Sequence, residues 1–397
     1  MTPRHPRPLL PALAAALGLA WMLAGCSPAT DAPDAPVALS PEAALGEKAF
    51  NDPSLSASGR MSCTTCHAPA FGQAAPNALA VQLGGPALDR PGVRSAQPLR
   101  YLVASGPFHF DAEGKARGGF FWDGRADSLA AQAAGPLLNP VEMANPDKAS
   151  VVRKIAAAPW ADEFKALYGA DILENTDRAF DKLAQALDRF QVEDTDKRGY
   201  TSKYDAVLRG RAELTAQEAR GLQLFNDPAK GNCAACHTSE KGADGSHPLF
   251  TDFSYDNLGI PRNPEIAANA NPRHVDLGLC NRAELRSRSE LCGAFKVPSL
   301  RNVAQRQVYF HNGRFKSLKD VMAFYVQRDT HPEKWYPRGA DGRIRKFDDL
   351  PTRYHGNVNV GEAPYDRKPG EAPALSDTEI EDVIAFLATL SDGWQAR

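Results

Sequence analysis

Hydrophobic positions fall into helical register at only a few places along this 397-residue chain, and those places come in pairs. Over residues 176–190, Phe180, Leu183, Leu187 and Phe190 share one helical face. Near the end, Ile380, Val383, Ile384 and Leu387 follow i, i+3, i+4, i+7, behind a Ser376–Glu379 capping box. Two earlier helix starts are marked by Ser40 with Pro41 at the first helical position, and by Thr215 with Glu218. Residues 71–118, 240–296 and 329–372 are Gly/Pro/Asn-rich or similar and predict loop. The pattern therefore predicts a mainly α fold with long irregular loops.

The pairing extends to the residues themselves. Leu39 to Pro53 aligns without a gap with Leu214 to Pro228. Further on, Phe120-Phe121-Trp122-Asp123-Gly124-Arg125 aligns with Tyr309-Phe310-His311-Asn312-Gly313-Arg314, and Ser128-Leu129 with Ser317-Leu318. The chain thus reads as two related domains, 39–205 and 206–397, with a boundary near 198–211. In each, the late amphipathic helix should cross the first helix and close a pocket.

The start of the chain is different. Arg4 and Arg7 precede an apolar run from Leu9 to Leu23, the form of a secretory signal rather than of a spanning helix. Its Leu23-Ala24-Gly25-Cys26 ending resembles a bacterial lipobox, which implies a lipoprotein signal over 1–25 and lipid on Cys26. Ser27 points to outer-membrane retention; a plain cleaved signal peptide is the alternative. Residues 26–38, rich in Ala, Pro and Asp, read as a flexible tether. Formal net charge is -2, and -4 once Arg4 and Arg7 leave, so nothing in the charge suggests a polyanion or nucleic-acid partner.

Cysteine usage carries the chemistry. Cys63-Thr64-Thr65-Cys66-His67 and Cys233-Ala234-Ala235-Cys236-His237 are both Cys-x-x-Cys-His, the attachment signal of c-type haem. The thiols bind the porphyrin vinyl groups and His67 or His237 becomes the proximal iron ligand. A zinc site or a dithiol redox pair is the alternative, but neither needs a His after both pairs. The two domains are accordingly expected to be cytochrome c-like and to carry two covalent haems. Of seven Cys, Cys280 and Cys292 remain, and an export compartment lets them pair across their short loop; two buried thiols are the alternative.

The repeat then separates the two sites. In its register Pro136 falls opposite Tyr325. Proline offers iron no donor, whereas a tyrosine oxygen can ligate it. The first haem is expected to keep an open sixth position and the second to be closed by Tyr325, with Met322, one turn earlier, as the rival ligand.

Several segments resemble the bacterial di-haem cytochrome c peroxidase and MauG family. They are Phe121-Trp122-Asp123-Gly124-Arg125-Ala126, Gln132, Asn139-Pro140-Val141-Glu142-Met143, Phe295 to Asn302, and Tyr309-Phe310-His311-Asn312-Gly313. The resemblance implies that Glu142 and Gln132 serve peroxide chemistry at the first haem, Glu142 moving a proton and Gln132 orienting the peroxide. It implies that Trp122 lies between the haems and relays electrons, and that His311 hydrogen-bonds near the second haem without ligating it. Tyr325 is similar to the MauG-like branch; the cytochrome-reducing branch has Met there. The family also holds calcium between its haems. Its Asn ligand is replaced in the stretch Arg94 to Tyr101, leaving backbone carbonyls around Arg306 and Val308. His109 is the only candidate near the first haem for the distal His that some members carry, and the reading goes against it.

Three functions follow as expectations. The first is a periplasmic peroxidase, lipid-anchored to the outer membrane, that reduces hydrogen peroxide to water. Its electrons come from a small donor protein, a cytochrome c or a cupredoxin. The second keeps the site but oxidises side chains of a partner protein, as members like MauG do. The third is a di-haem electron carrier without catalysis.

Overall fold

Why the chain turns where it does is clearest at its paired helices. The structure is a computed structural model describing residues 38–396 together with Met1. The signal, the lipid site at Cys26 and nearly all of the tether lie outside the described residues. Helix α1 (Pro41–Asn51) opens with Ser40 accepting from the Ala43 N–H, and α8 (Ala216–Asn226) opens with the Thr215–Glu218 capping box. The other helices are α2 (Cys63–Cys66), α3 (Leu129–Leu138), α4 (Lys148–Ala157), α5 (Ala161–Tyr168), α6 (Thr176–Glu193), α7 (Lys203–Leu208), α9 (Leu318–Gln327) and α10 (Asp377–Ala388). Strands occur only as three two-residue antiparallel pairs among the described residues: β1–β2 (Leu83–Gly84, Arg90–Pro91), β3–β4 (His109–Phe110, Ala116–Arg117) and β5–β6 (Tyr255–Asp256, Phe295–Lys296). The fold is mainly helical, as its periodicity predicts.

The repeat is structural as well as sequential. Helix α1 crosses α6 so closely that a Cβ on Gly46 would sit 1.9 Å from the Ala186 carbonyl oxygen. Helix α8 crosses α10 in the same way, and a Cβ on Gly221 would sit 2.0 Å from the Asp382 carbonyl oxygen. Only glycine allows either approach. Beside each crossing an aromatic pair packs with centroids 5.3 Å apart, Phe50 with Phe190 and Phe225 with Phe386. Two separate apolar cores result, one over residues 45–190 and one over 204–390. Downstream, bridges Phe120–Ala126 and Tyr309–Phe315 close matching loops, with Phe121 and Phe310 both left-handed at φ 65° and 64°.

The halves also differ. Helices α4 and α5 have no counterpart after α9 among the described residues. The segment 198–211, read from sequence as a boundary, contains α7, and its Tyr204 packs into the second core. From Ala38 onward the chain packs as one unit. Arg94 joins the halves by a two-pronged bond to Asp276 (2.6 and 2.7 Å) and a third to Asp123 (2.7 Å). No described helix is long and apolar enough to cross a membrane.

Candidate active site

Each Cys-x-x-Cys-His folds as a single helical turn. The His67 N–H donates to the Cys63 carbonyl at 2.9 Å, and the His237 N–H to the Cys233 carbonyl at 2.8 Å. One turn sets residues i and i+3 on the same side, so both thiols and the imidazole of each motif line one cavity. Burial pushes the thiols up, Cys63, Cys233 and Cys236 to about 12 and Cys66 to about 11. A redox dithiol needs the opposite shift. The motifs line different cavities, and no three His, Cys, Asp or Glu among the described residues converge as a metal site. Both alternatives to haem attachment therefore lose their basis.

The imidazoles are prepared as ligands. Burial lowers His67 to about 4 and lowers His237 as well, so both rings are neutral at neutral pH. Nδ1 of His67 faces the Gln73 carbonyl at 3.3 Å and Nδ1 of His237 faces the Phe250 carbonyl at 2.8 Å. A carbonyl accepts only from N–H, which leaves Nε2 of each ring free to bind iron.

The first cavity brings together Cys63, Cys66, His67, Trp122, Gln132, Pro136 and Glu142. Gln132 and Pro136 lie on α3, where Pro136 removes the helical hydrogen bond to the Gln132 carbonyl. Glu142 follows the end of α3, and its backbone carbonyl accepts from the Gly85 N–H at 2.8 Å. A Cβ on Gly84 would meet the Val141 carbonyl oxygen at 2.2 Å, so this glycine lets β1–β2 lie against the acid. Burial raises the Glu142 carboxyl, while Arg125 and an Asn139 amide bond at 2.7 Å oppose the rise.

The second cavity brings together Cys233, Cys236, His237, His311, Met322 and Tyr325. Thus Pro136 and Tyr325, equivalent in the repeat, each line their own cavity. His311 is buried, is lowered to about 4 by that burial, and stacks on Phe295 with centroids 3.6 Å apart. Cys280 and Cys292 are joined by a disulfide and line neither cavity. His109 is exposed on β3 and does not line the first cavity.

Trp122 lines both cavities. It is buried, its indole N–H donates to the Ser95 carbonyl at 2.9 Å, and its own carbonyl accepts from the Lys296 N–H at 2.9 Å. Four other side chains at these cavities have no role assigned from the sequence. Lys296, lowered to about 7 by burial, and Asp276 also line both cavities. Tyr365 lines the second, inside a stretch that offered only loop signals. Arg306, which the sequence reading considered only for its backbone carbonyl, lines it too, and Nε and Nη2 of its buried guanidinium have no hydrogen-bond partner among the described residues. A buried cation with two unused donors calls for an anionic group on a ligand. Haem carries two carboxylates, and the cavities, about 1580 and 2030 Å³ including their open mouths, have room for a macrocycle.

Comparison with known proteins agrees with this geometry. Residues 40–213 match the model of the di-haem cytochrome c peroxidase family. The chain is 37% identical over 360 residues to the methylamine utilization protein MauG of Paracoccus denitrificans, covering 88% of each. It is 30% identical over 358 residues to the cytochrome c551 peroxidase of Pseudomonas aeruginosa, covering 89% of this chain and 79% of that one. The crystal structure of the diheme peroxidase BthA from Burkholderia thailandensis is similar with a TM-score of 0.82 at 40% identity, covering 90% and 87% of the two chains. The duplicated cavity, the two attachment motifs and these likenesses lead to one assignment: the chain belongs to the di-haem cytochrome c peroxidase and MauG family and carries two c-type haems.

Proposed function

We propose that this enzyme reduces hydrogen peroxide to water, with electrons entering at the second site and reaching the first through Trp122. The observation that carries the reading is the unequal pair Pro136 and Tyr325, each lining its own cavity at the same point of the repeat. Cys63, Cys66 and His67 would hold one haem, and Cys233, Cys236, His237 and Tyr325 the other. When bound, these haems supply iron that accepts peroxide where a coordination position is open and exchanges single electrons.

The chain supplies the rest. The Glu142 carboxylate takes a proton from the near oxygen of peroxide and returns it to the far oxygen as the O–O bond breaks. The Asn139 amide occupies Oε1 of Glu142, which leaves Oε2 for that transfer. The Gln132 amide orients the peroxide across the cavity. Trp122, bordering both cavities, passes electrons one at a time. Each turnover consumes two electrons from a small donor protein, a cytochrome c or a cupredoxin, and two protons, and yields two waters.

The Cys280–Cys292 disulfide and the covalent haems suit an oxidising, periplasm-facing compartment. The signal over residues 1–25 and the lipid on Cys26, with the outer-membrane anchorage they imply, rest on sequence. The reading extends to a calcium ion on backbone carbonyls near Arg306 and Val308. Two features oppose a cation there: the Arg306 carbonyl already accepts from Tyr309 at 2.8 Å, and the Arg306 guanidinium is buried. Unchanged haem spectra after chelation would remove calcium from the reading.

Electron paramagnetic resonance of the ferric holoprotein tests the asymmetry. One high-spin and one low-spin haem are expected, together with peroxide turnover supported by a reduced cytochrome c. Two low-spin haems that ignore peroxide would instead indicate an electron carrier. Tyr325 in the second cavity also favours a second reading, in which the oxidising equivalents are spent on side chains of a partner protein. Slow turnover with every small donor, combined with oxidation of a co-exported protein, would select it.

A further inference from the structure

Beside the first proximal histidine lies a charge that the proposed function does not use. Lys197, in the short turn Thr195–Arg198 after α6, is only 2% exposed. Burial disfavours its ammonium, and the surroundings are built to offset that cost. The Asp194 carboxylate lies 3.3 Å away, and the ammonium sits over the Phe190 and Phe50 rings at 4.7 and 4.8 Å. It also donates to the Gln73 side-chain oxygen at 3.0 Å. The Gln73 amide in turn donates to the His67 carbonyl at 2.9 Å, and the Gln73 main-chain carbonyl faces Nδ1 of the His67 ring at 3.3 Å. One residue therefore meets the His67 ring through its main chain and the Lys197 charge through its side chain.

The second half has no charge at the matching place. Tyr101 and Asn302, both left-handed at φ 64° and 60°, donate their N–H groups to the Lys197 and Leu390 carbonyls at 2.7 and 3.0 Å. Lys197 thus stands where the second half has Leu390. Gln73 stands where it has Phe250, which is left-handed as well and whose carbonyl faces Nδ1 of His237. Leu390 and Phe250 are fully buried. Arg301 does approach the Phe250 ring, at 5.9 Å, but it is closed onto Asp205 by two bonds of 2.9 Å. Asp194 is a weaker counterweight to Lys197, because it makes one longer contact and its side chain is 20% exposed to water.

We propose that Lys197 raises the potential of the first haem iron and so draws electrons toward that site: its ammonium, held on Gln73 beside His67, opposes the extra positive charge of the ferric state. The proposal rests on His67 being the proximal ligand. Ferric iron carries one positive charge more than ferrous, and a fixed cation shielded from water acts on that difference over many ångströms. Lys197 touches neither peroxide nor iron and is a positioning residue. An electron arriving through Trp122 then finds the first site more favourable than the same site without the lysine.

The test compares the Lys197→Met and Lys197→Gln holoproteins with the native one by spectroelectrochemistry of both haems. Methionine fills the space without charge, and glutamine also keeps a donor for Gln73. In both variants the ferric/ferrous equilibrium of the first haem should shift about tenfold toward ferric, about 59 mV for a one-electron couple, with the second haem unmoved. An unmoved first haem overturns the proposal, and so does an equal shift at both haems. A shift in Lys197→Met alone assigns the effect to the hydrogen bond and overturns it as well. Should neither variant keep its first haem, Asp194→Asn reads the same charge from a partly exposed position. Removing the counter-charge should shift that equilibrium toward ferrous, and an unmoved or opposite equilibrium overturns the idea. A His67→Met control separates the two failures. Unchanged first-haem absorption there removes His67 as the ligand and defeats both readings. Changed absorption there, beside an unmoved potential in Lys197→Met, defeats this one alone.

Discussion

Asn139 donates its side-chain N–H to Oε1 of Glu142 at 2.7 Å, from three residues back along the same turn. The bond favours the charged acid, whereas burial, the larger effect, favours the neutral one. In the proposed mechanism the carboxylate is the form that accepts a proton from peroxide. Activity should therefore fall as pH drops through the Glu142 pKa, which lies above the ordinary 4.5. Replacing Asn139 by Leu removes a group that lowers this pKa, so the acid limb of kcat/KM should move to higher pH. Glu142→Gln should cost roughly 10²- to 10⁴-fold in turnover with haem spectra unchanged. Full turnover in Glu142→Gln, or an unmoved limb in Asn139→Leu, would remove Glu142 from the proton path.

Trp122 borders both cavities, so the proposed electron path can be interrupted without touching either expected iron ligand. In Trp122→Phe the Ser95 carbonyl loses its indole partner, a cost of about 1–3 kcal/mol that a chain of this size tolerates. Stopped-flow mixing of the reduced protein with peroxide should then show normal peroxide binding at the first haem and slow oxidation of the second. Equal rates in both proteins would reduce Trp122 to a core aromatic.

Much of this arrangement is legible in the chain. The helix starts at Ser40, Thr215 and Ser376 announce themselves because a cap is a local event, settled by a few adjacent residues. The amphipathic faces of α6 and α10 are equally plain, although α6 runs to Glu193, three residues past the predicted end. The register that sets Pro136 against Tyr325 survives because the loops Phe120–Ala126 and Tyr309–Phe315 keep the same bridge and the same left-handed aromatic. Illegible residues are those placed by distant partners. Tyr365 lies in a stretch without period, and its position is fixed by Arg328, 37 residues earlier, and through it by Leu258. Lys296 borders both cavities with its ammonium held by the Gly119 carbonyl, 177 residues earlier. Helix α7 hides because six residues are too few to show a period.

Gly46 and Gly221 permit a matched experiment on the two halves. An added methyl would lie 1.9 Å from the Ala186 carbonyl oxygen in one and 2.0 Å from the Asp382 carbonyl oxygen in the other. Both obstacles are backbone, so each helix pair must separate, at a cost of about 1–3 kcal/mol or more. Gly46→Ala should loosen the first haem and Gly221→Ala the second, read as a selective change in each haem's absorption on thermal melting. A single shared transition, lowered equally by both, would mean that the two halves do not melt separately.

Asp205 and Arg301 form a fully buried pair with two bonds of 2.9 Å, joining α7 to the segment after Pro298. Burial alone would raise the Asp205 carboxyl, but the Arg301 fork, the Ser202 hydroxyl and His247 outweigh it and hold it at about 2. A carboxyl lowered on folding binds protons more weakly in the native state than in the unfolded chain. Its contribution is therefore complete above the ordinary 3.8 and is lost as pH falls from there toward 2. The size is about 2 kcal/mol, and denaturant melts between pH 5 and pH 2 should show it. Asp205→Asn should flatten that slope. It should also cost about 3–5 kcal/mol at neutral pH, because the Arg301 guanidinium is left buried without its counter-charge. If Asp205→Asn melts with the native slope, the acid sensitivity belongs to other carboxylates and the pair is an incidental contact of α7.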